Sequence, residues 1–322
     1  MRPLRLGVRP AVIAVSLTAA LFLFNRATGE ETAPRPSPGW TSDPALTAGL
    51  KGHLERLTSA EMEGRKSGSA GYRRAAEYAA QFFGSIGLEP AWAQTDGKRL
   101  FFQPVPSPRP EVPECRNVVA LLRGSDPTLR DEFVTLGAHL DHLGKIEGVA
   151  YPGANDDASG CAAVMEAARV LAAAPPKRSV LFVLFTGEEV GHSGSLEFVK
   201  DPPVPLDSVV MNINVEQIGS RHRDFPGIFA IGPMSRKAPF DAAANRVPDY
   251  KARYEDIKKY LQVVAGSDSW SFVLDKRPAI ILGSGGFREH HTPRDTIDLI
   301  DFEQMARATS LIIDYVREVA GR

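Results

Sequence analysis

The sequence has few cysteines and almost no net charge, and both shortages exclude classes of protein. Its 322 residues include only Cys115 and Cys161, too few for the disulfide framework that holds small secreted domains together. We expect two unbridged or structural thiols, with a single bridge as the alternative. The 38 basic and 39 acidic residues leave a net charge of -1. Because nucleic-acid-binding proteins carry a basic excess, no nucleic-acid partner is expected.

The sequence also lacks an apolar run long enough for an ordinary transmembrane helix. Residues 11–24 are uncharged and largely apolar, but a membrane span needs about 20 residues. Three arginines precede this run, as in a secretory signal peptide. We therefore expect residues 1–29 to direct export to the periplasm or the exterior. An uncleaved anchor is the alternative, and it would be the chain's only link to a membrane.

The remaining chain divides into a linker and one domain. Four prolines among polar residues predict that residues 30–44 form a linker. Residues 45–322 show no internal repeat and no second core, so they are expected to form a single domain.

Apolar runs typical of buried strands alternate with stretches of helical spacing along this domain. Strands are predicted at 117–122, 133–136, 179–185, 209–215 and 279–282, and helices at 46–57, 72–86, 159–174 and 302–319. Residues 59–71 are predicted to be a loop, and 220–262 are poorly patterned. The alternation predicts an α/β fold, a three-layer α/β/α sandwich with a mixed, largely parallel central sheet.

The first chemically suggestive motif, GAHLDHLG, follows the predicted strand 133–136. In an extended continuation His139 and Asp141 point the same way. The Asp141 carboxylate is then placed to hold the imidazole of a metal-binding histidine. A histidine satisfied within a polar loop is the alternative interpretation.

Two further motifs contain adjacent acidic residues. GANDDASG places Asp156 and Asp157 before a predicted helix, where a carboxylate either caps the helix or bridges two cations. TGEEVG places Glu188 and Glu189 directly after the buried strand 179–185. Two glutamates at that position are costly unless they are paired or bound to metal, and ligands gather at this edge of α/β sheets. A solvated turn is the alternative for the glutamate pair.

Two weaker motifs complete the set. NINVEQIG ends a predicted strand with Glu216, and EHHTPRDT carries His290 and His291 late in the chain. Alone, each is also explained by rim or surface residues. Together the five motifs supply nitrogen and oxygen ligands without cysteine, which suits zinc at a catalytic site. So many converging carboxylates require cations, and two ions fit better than one.

With these motifs in this order, the chain from Leu46 onward resembles the zinc aminopeptidase family of secreted bacterial leucyl-type aminopeptidases. The wider relatives of that family include glutamate carboxypeptidase II, glutaminyl cyclase and the transferrin receptor. The stretch EMEGR at 61–65 also resembles the family's amino-terminal segment.

The resemblance implies two zinc ions per chain and a role for each motif residue. The implied ligands are His139 and Glu216 on the first zinc, Glu189 and His291 on the second, and Asp156 between them. Glu188 would be the general base and Asp141 would orient His139. A cis peptide bond is implied between Asp156 and Asp157. The chain departs from the family at Glu216, where many members have aspartate, and at Ser269, where histidine is frequent.

These observations predict an exported, monomeric two-zinc aminopeptidase that acts on peptides with a free N-terminus. Three alternatives remain open at this level. One is a glutaminyl-cyclase-like transferase with a single zinc. Another is a zinc carboxypeptidase in which Arg288 or Arg294 holds the substrate carboxylate. The third is a binding protein on the same fold that has lost catalysis.

Overall fold

The computed structural model describes residues 43–94, 96–107, 115–220, 227–285 and 287–321. The predicted signal peptide lies outside the described residues, and so does the predicted linker up to residue 42. The first described helix begins at Pro44, one residue before the predicted domain boundary, and the Asp43 side chain accepts a hydrogen bond from the Ala45 amide. Within the described part of the chain, no helix is both long and apolar enough to cross a bilayer.

Helices in the described residues form the outer layers of the domain. They are α1 (Pro44–Leu57), α2 (Ala70–Ser85), α3 (Gly160–Ala172), α4 (Ser193–Lys200), α5 (Lys237–Ala244), α6 (Leu261–Val264), α7 (Ser269–Leu274) and α8 (Phe302–Ala320).

Thirteen strands occur in the same described ranges. They are β1 (Glu89–Pro90), β2 (Trp92–Ala93), β3 (Arg99–Leu100), β4 (Phe102–Val105), β5 (Cys115–Leu122), β6 (Phe133–His139), β7 (Gly144–Ile146), β8 (Val149–Tyr151), β9 (Ser179–Phe185), β10 (Val209–Glu216), β11 (Gly227–Gly232), β12 (Lys251–Asp256) and β13 (Ala279–Gly283).

A nine-stranded mixed sheet forms the centre of the domain. Its order is β1-β5-β9-β6-β10-β13-β11-β12, with β4 also paired to β5. The strands β9, β6, β10 and β13 are neighbours and parallel, while β5 and β11 join them in antiparallel fashion. The predicted mixed sheet is therefore confirmed, and its parallel part is the middle, where four strand ends lie side by side.

Both faces of the sheet are covered, as the alternation of strands and helices predicted. Along β9, Val180 and Phe182 face the core under α1, α2, α3 and α8, whereas Leu181 and Val183 face the core under α4 and α7. A strand whose side chains are buried on both sides carries a continuous apolar run. That requirement explains why residues 179–185 were correctly predicted as a strand.

The predicted helices form, with small shifts at their ends. The apolar positions of α1 are buried at the spacing that the sequence showed. The hydroxyl of Ser69 accepts a hydrogen bond from the Tyr72 amide and starts α2 two residues before its predicted beginning. The predicted loop at 59–71 contains a 3₁₀ turn at Ala60–Arg65. This turn escaped prediction because it has no apolar period of its own.

The two cysteines are buried on different elements and are not joined by a disulfide. Cys115 begins β5, and Cys161 lies in the first turn of α3. The Cys161 thiol donates to the main-chain carbonyl of His139 at 3.0 Å. The expectation of unbridged, structural thiols is confirmed.

Arg65 is fully buried and joins three separate segments through main-chain carbonyls. Its guanidinium donates to Leu57 at 2.8 Å, Leu140 at 2.9 Å, Pro152 at 2.7 Å and Gly153 at 2.9 Å. Irregular buried backbone must find hydrogen-bond partners, and a planar group with five donors suits carbonyls on several sides. Arg65 therefore holds the loop after β6 against the loop before α3.

Replacing Arg65 with Lys should destabilise the domain by about 3 kcal/mol or more, because an ammonium cannot reach all four carbonyls and leaves some buried without a donor. Guanidinium unfolding followed by circular dichroism measures this change. Arg56→Lys is the matched control, since Arg56 makes an exposed pair with Glu61, and its cost should stay within about 1 kcal/mol. Equal effects of the two replacements would contradict the role given to Arg65.

Candidate metal centre

Predicted site residues gather at the carboxyl ends of the neighbouring parallel strands. β6 ends at His139, β10 ends at Glu216, and Glu188 and Glu189 are the third and fourth residues after the end of β9. His291 lies in the loop that follows β13. Because these strands point the same way, their ends meet along one edge of the sheet, where α/β folds place ligands.

Asp156 lies at the centre of the group, in the turn that precedes α3. Its Oδ1 is 3.2 Å from Nε2 of His139, and its Oδ2 is 3.2 Å from Nε2 of His291. The peptide bond from Asp156 to Asp157 is cis, as the family resemblance implied. The two carboxylate oxygens thus face different histidines, an arrangement that suits a bridge between two cations.

Four residues on the Oδ2 side of Asp156 could hold one metal ion. One ligand atom from each of His142, Asp156, Glu189 and His291 lies within 4.8 Å of the other three. Glu189 Oε2 is 3.0 Å from His291 Nε2, and Glu189 Oε1 is 2.8 Å from His142 Nδ1. Within the described ranges this is the one group that meets the distance criterion for a shared ion.

His139 faces the other carboxylate oxygen of Asp156, and both His139 and Glu216 are almost fully buried. Glu216 Oε1 accepts a hydrogen bond from the Asn214 side chain at 2.8 Å. Burial, together with the carboxylate of Glu188, raises the pKa of Glu216 well above its usual range. A buried acid at a carboxylate-rich edge is the kind of group that a nearby cation would return to its ionised form.

Glu188 does not belong to the four-donor group, which consists of His142, Asp156, Glu189 and His291. Its Oε1 lies 3.2 Å from Nε2 of His192, one turn further along. The segment between them is a short 3₁₀ turn flanked by Gly187 and Gly191, both with positive φ. The adjacent glutamates therefore face different partners, and Glu188 is not committed to the histidines around Asp156.

The structure corrects the role predicted for the Asp141 side chain. His139 Nδ1 faces the main-chain carbonyl of Asp141 at 3.1 Å, not its carboxylate. The carboxylate instead accepts hydrogen bonds from the Ser67 hydroxyl at 2.9 Å and from the Glu188 amide at 3.2 Å. The strand β6 ends at His139, so the simple alternation of an extended strand does not continue to Asp141. Asp141 thus orients His139 through its backbone and Glu188 through its side chain.

Two other buried carboxylates hold the backbone around the site. Asp157 accepts from the amides of Gly160 at 3.0 Å and Gln217 at 2.9 Å. Asp295 accepts from the amides of Asn155 at 2.8 Å and Asp156 at 3.0 Å. These contacts tie the turn bearing Asp156 to the end of β10 and to the loop after β13.

The histidines determine which carboxylates stay ionised. Burial alone would raise the pKa of Asp156, but its contacts with His139, His290 and His291 hold that pKa well below the usual range. Burial and the nearby Asp156 oppose ionisation of Glu189, yet His142 and His291 lower its pKa to about 2. Asp156 and Glu189 are therefore held in the anionic form that binds a cation.

The donors fit zinc. Asp156 Oδ2 is buried and makes no hydrogen bond of good geometry in the described structure, although His290, His291 and His142 face it at 3.0, 3.2 and 3.6 Å. A carboxylate oxygen facing three imidazole nitrogens is typical of a site built around a cation. Nitrogen and oxygen donors without thiolate suit zinc in a catalytic role.

His142 and His290 are the site residues that sequence reasoning passed over. His142 lies three residues after His139 in the same motif, and its ring contacts Glu189. His290 stacks on His291 with ring centroids 3.9 Å apart. Both stand in the motifs already singled out, so the signal was present, but spacing alone could not show which way each ring points.

Asp268 is a further buried acid close to this centre. Neither of its carboxylate oxygens has a hydrogen bond within the described part of the chain. The nearby Ser195 hydroxyl makes its hydrogen bonds with the His192 carbonyl and with Ser271. Burial raises the pKa of Asp268 to about 6 against the opposing influence of His192. Asp268 is therefore an acid held partly neutral beside the Glu188–His192 pair.

The fold and the site define an α/β protein with a histidine- and carboxylate-rich metal centre at the carboxyl edge of its sheet. Residues 117–316 match peptidase family M28, and the chain belongs to this family. The resemblance seen in the sequence is thus confirmed.

Curated relatives carry peptidase names. An aminopeptidase of Pseudomonas aeruginosa is 37% identical over 131 residues, which are 40% of this chain and 23% of that protein. The aminopeptidase YwaD of Bacillus subtilis is 26% identical over 199 residues, 59% of this chain and 42% of that one. The chain therefore spans about a quarter of the length of the first relative and less than half of the second.

Solved structures share the fold at low sequence identity. The Legionella pneumophila LapA aminopeptidase has a TM-score of 0.65 at 20% identity, over 89% of this chain and 78% of that one. BSAP, a zinc aminopeptidase from Bacillus subtilis, has a TM-score of 0.69 at 14% identity, over 86% and 95%. A Bacteroides thetaiotaomicron glutaminyl cyclase has a TM-score of 0.62 at 14% identity, over 86% and 99%.

Replacing Asp268 with Asn should stabilise the metal-free protein strongly at neutral pH and much less at acid pH. An acid whose folded-state pKa is raised to about 6 contributes stability below its ordinary pKa, and that contribution is lost as pH rises through about 6. Asn cannot ionise. Above that pH the free energy of unfolding of the variant should therefore exceed that of the parent by about 3 kcal/mol, which corresponds to a shift of about two pKa units.

Guanidinium unfolding of chelator-treated protein at about pH 4.5 and about pH 8 measures this difference. The exposed Asp201→Asn is the control, and its effect should be similar at both pH values. A gain for Asp268→Asn that is the same at both pH values would show that the burial of a charge is not its cause.

Proposed function

We propose that this protein is a zinc-dependent aminopeptidase that binds two ions and removes residues from the free N-terminus of peptides. The observation that carries the proposal is the divergence of the two adjacent glutamates. Glu189 faces His142 and His291, whereas Glu188 faces His192 at the edge of the metal centre. One carboxylate is thus arranged as a ligand, and its neighbour stays available to move protons.

Membership of peptidase family M28 and the names of the relatives support zinc peptidase chemistry. Within the site, His139, Asp156, Glu189, Glu216 and His291 are the residues that would hold two zinc ions. Support for a second ion comes from His139, which faces the Asp156 oxygen opposite the four-donor group. Bound zinc would supply Lewis-acid activation of the scissile carbonyl and of the attacking water.

Glu188 is the group proposed to carry the proton. As a carboxylate it would accept a proton from the attacking water and deliver it to the nitrogen of the departing amine, which is general base and then general acid catalysis. The Asp141 carboxylate fixes the Glu188 backbone, and His192 contacts the Glu188 side chain. These contacts limit the positions that the Glu188 carboxylate can adopt, and position governs the rate of such transfers.

Peptides with a free N-terminus are the proposed substrates. Their ammonium group is cationic, and the half-buried Glu188 carboxylate beside the metal centre would complement that charge. The carboxypeptidase alternative needs a cation near the site, and Arg288 and Arg294 are both exposed on the loop around His291. A substrate panel of aminoacyl, N-terminal Gln and carboxypeptidase substrates separates the three activities.

Export and a monomeric state are also proposed. The export proposal depends on the arginine-led apolar segment at residues 1–29. Mass measurement of the mature protein and fractionation of expressing cells test whether the segment is removed and where the protein resides.

Replacing Glu188 with Gln should lower kcat about a hundredfold to ten-thousandfold, because the amide cannot accept a proton from water. Zinc content should stay unchanged, since Glu188 is not among the proposed ligands. Aminoacyl-substrate kinetics and metal analysis of the same preparation measure both effects.

Glu55→Gln, on the exposed face of α1, is the control and should leave kcat and zinc content as they are. Near-normal turnover by the Glu188 variant would remove this residue from the role of general base. Loss of zinc together with activity would instead assign Glu188 to the ligands.

A further inference from the structure

We propose that His142 is a direct ligand of the ion held by Asp156, Glu189 and His291, which gives that ion four protein donors. This adds a histidine to the five ligands that the family resemblance implies. The inference rests on the proposed function only in taking the ion to be zinc.

The separations between donor atoms suit a single ion. His142 Nδ1 is 2.8 Å from Glu189 Oε1 and 3.6 Å from Asp156 Oδ2, and His291 Nε2 is 3.0 Å from Glu189 Oε2 and 3.2 Å from Asp156 Oδ2. Zinc bonds to nitrogen and oxygen of about 2.0–2.2 Å place neighbouring tetrahedral donors about 3.4 Å apart. The four side chains are therefore already close to the spacing that one zinc requires.

The fold fixes the His142 ring from both sides. The His142 amide donates to the Arg65 carbonyl at 3.2 Å, and the Arg65 guanidinium binds the carbonyl of Gly153 at 2.9 Å. Gly153 has a φ of 57°, and a Cβ atom at that position would lie 2.5 Å from His142 Cδ2. The His142 ring packs directly against the backbone of Gly153, which has no side chain. The orientation of the ring is therefore fixed before any ion binds, as preorganisation of a ligand requires.

His290 is less well placed for the same ion. Its Nε2 is 3.0 Å from Asp156 Oδ2, but its ring stacks on His291 at 3.9 Å with 17° between the planes. It does not belong to the group whose donor atoms all lie within 4.8 Å of one another. Ligands of one ion must point at it from different directions. The His142 ring is inclined at 61° to the His291 ring, so the two imidazoles can point at the same ion from different sides.

Four protein donors on one side would make the two ions unequal. Zinc sites with four protein ligands are closed, whereas sites with three keep a position for water or substrate. On the opposite side, His139 faces Asp156 Oδ1, and with Glu216, the ligand that the family resemblance implies, that ion would have three protein donors. We therefore expect the His142 ion to bind first and more tightly, and the His139 ion to be the exchangeable one.

The competing role for His142 is to orient Glu189 by a hydrogen bond without touching the ion. His142→Gln separates the two roles, because a Gln amide can still donate to Glu189 but brings no imidazole. X-ray absorption of full-length protein loaded with one equivalent of zinc counts the imidazoles on the first-bound ion. Two are expected in the parent and one in His142→Gln.

Two matched variants accompany this count. His192→Gln removes a histidine that contacts Glu188 outside the four-donor group, and it should leave two imidazoles on the ion. His290→Gln should also leave two. Circular dichroism of each variant confirms folding before the spectra are compared.

Zinc affinity gives an independent measure that does not depend on catalysis. Competition with a chromophoric chelator should show that His142→Gln weakens the tighter ion more than about a hundredfold, beyond the tenfold to hundredfold expected when an orienting contact is lost. One imidazole in the parent, or two in His142→Gln, would overturn the proposal while leaving a zinc peptidase intact. Failure of the parent to bind zinc at all would overturn both proposals.

Discussion

The buried guanidinium of Arg65 is the interaction on which the geometry of the metal centre depends. The loop after β6 and the loop before α3 are irregular, buried, and rich in main-chain carbonyls that no sheet or helix satisfies. Arg65 meets this need at Leu140, Pro152 and Gly153 and connects both loops to the end of α1. Among the described residues no carboxylate pairs directly with this guanidinium. Burial lowers its pKa, and the negative charges of Asp295 and Asp156 oppose that shift. The Arg65 guanidinium thus fixes both loops and also places a positive charge close to the acidic side chains of the site.

The acidic side chains around the metal centre fall into two groups: some contact its histidines, and others accept hydrogen bonds from the surrounding main chain. Asp156 and Glu189 contact histidines, while the neighbouring Asp157 and the more distant Asp141 and Asp295 accept main-chain amides. Because each framing carboxylate binds the amide of a residue in or next to another motif, the motifs position one another. The site is therefore cooperative, and its five motifs need not be near in sequence to be close in space.

The parts that could be predicted from sequence are those governed by periodicity and by strand ends. Residues 179–185 had to be a strand buried on both faces, and carboxylates placed after parallel strands had to meet at one edge. The direction of side chains within the loops could not be predicted, because it depends on contacts distant in sequence. The Asp141 carboxylate binds Ser67 and the Glu188 amide, and the His142 ring contacts Glu189. Arg65, distant in sequence, binds the main chain of this loop at Leu140 and His142, and the backbone of Gly153 packs against the His142 ring.

The departure at Ser269 shows the same dependence on tertiary contacts. Where the family frequently has histidine, the Ser269 hydroxyl here is buried and donates to the Ile280 carbonyl of β13, so it does not reach the metal centre. An imidazole is nevertheless present nearby, because His192 at the start of α4 contacts Glu188 and acts electrostatically on Asp268, the residue before Ser269. The imidazole beside Glu188, the proposed general base, thus comes from the start of α4 and not from α7, which carries Ser269. His192 therefore supplies an imidazole beside Glu188 although the Ser269 position does not.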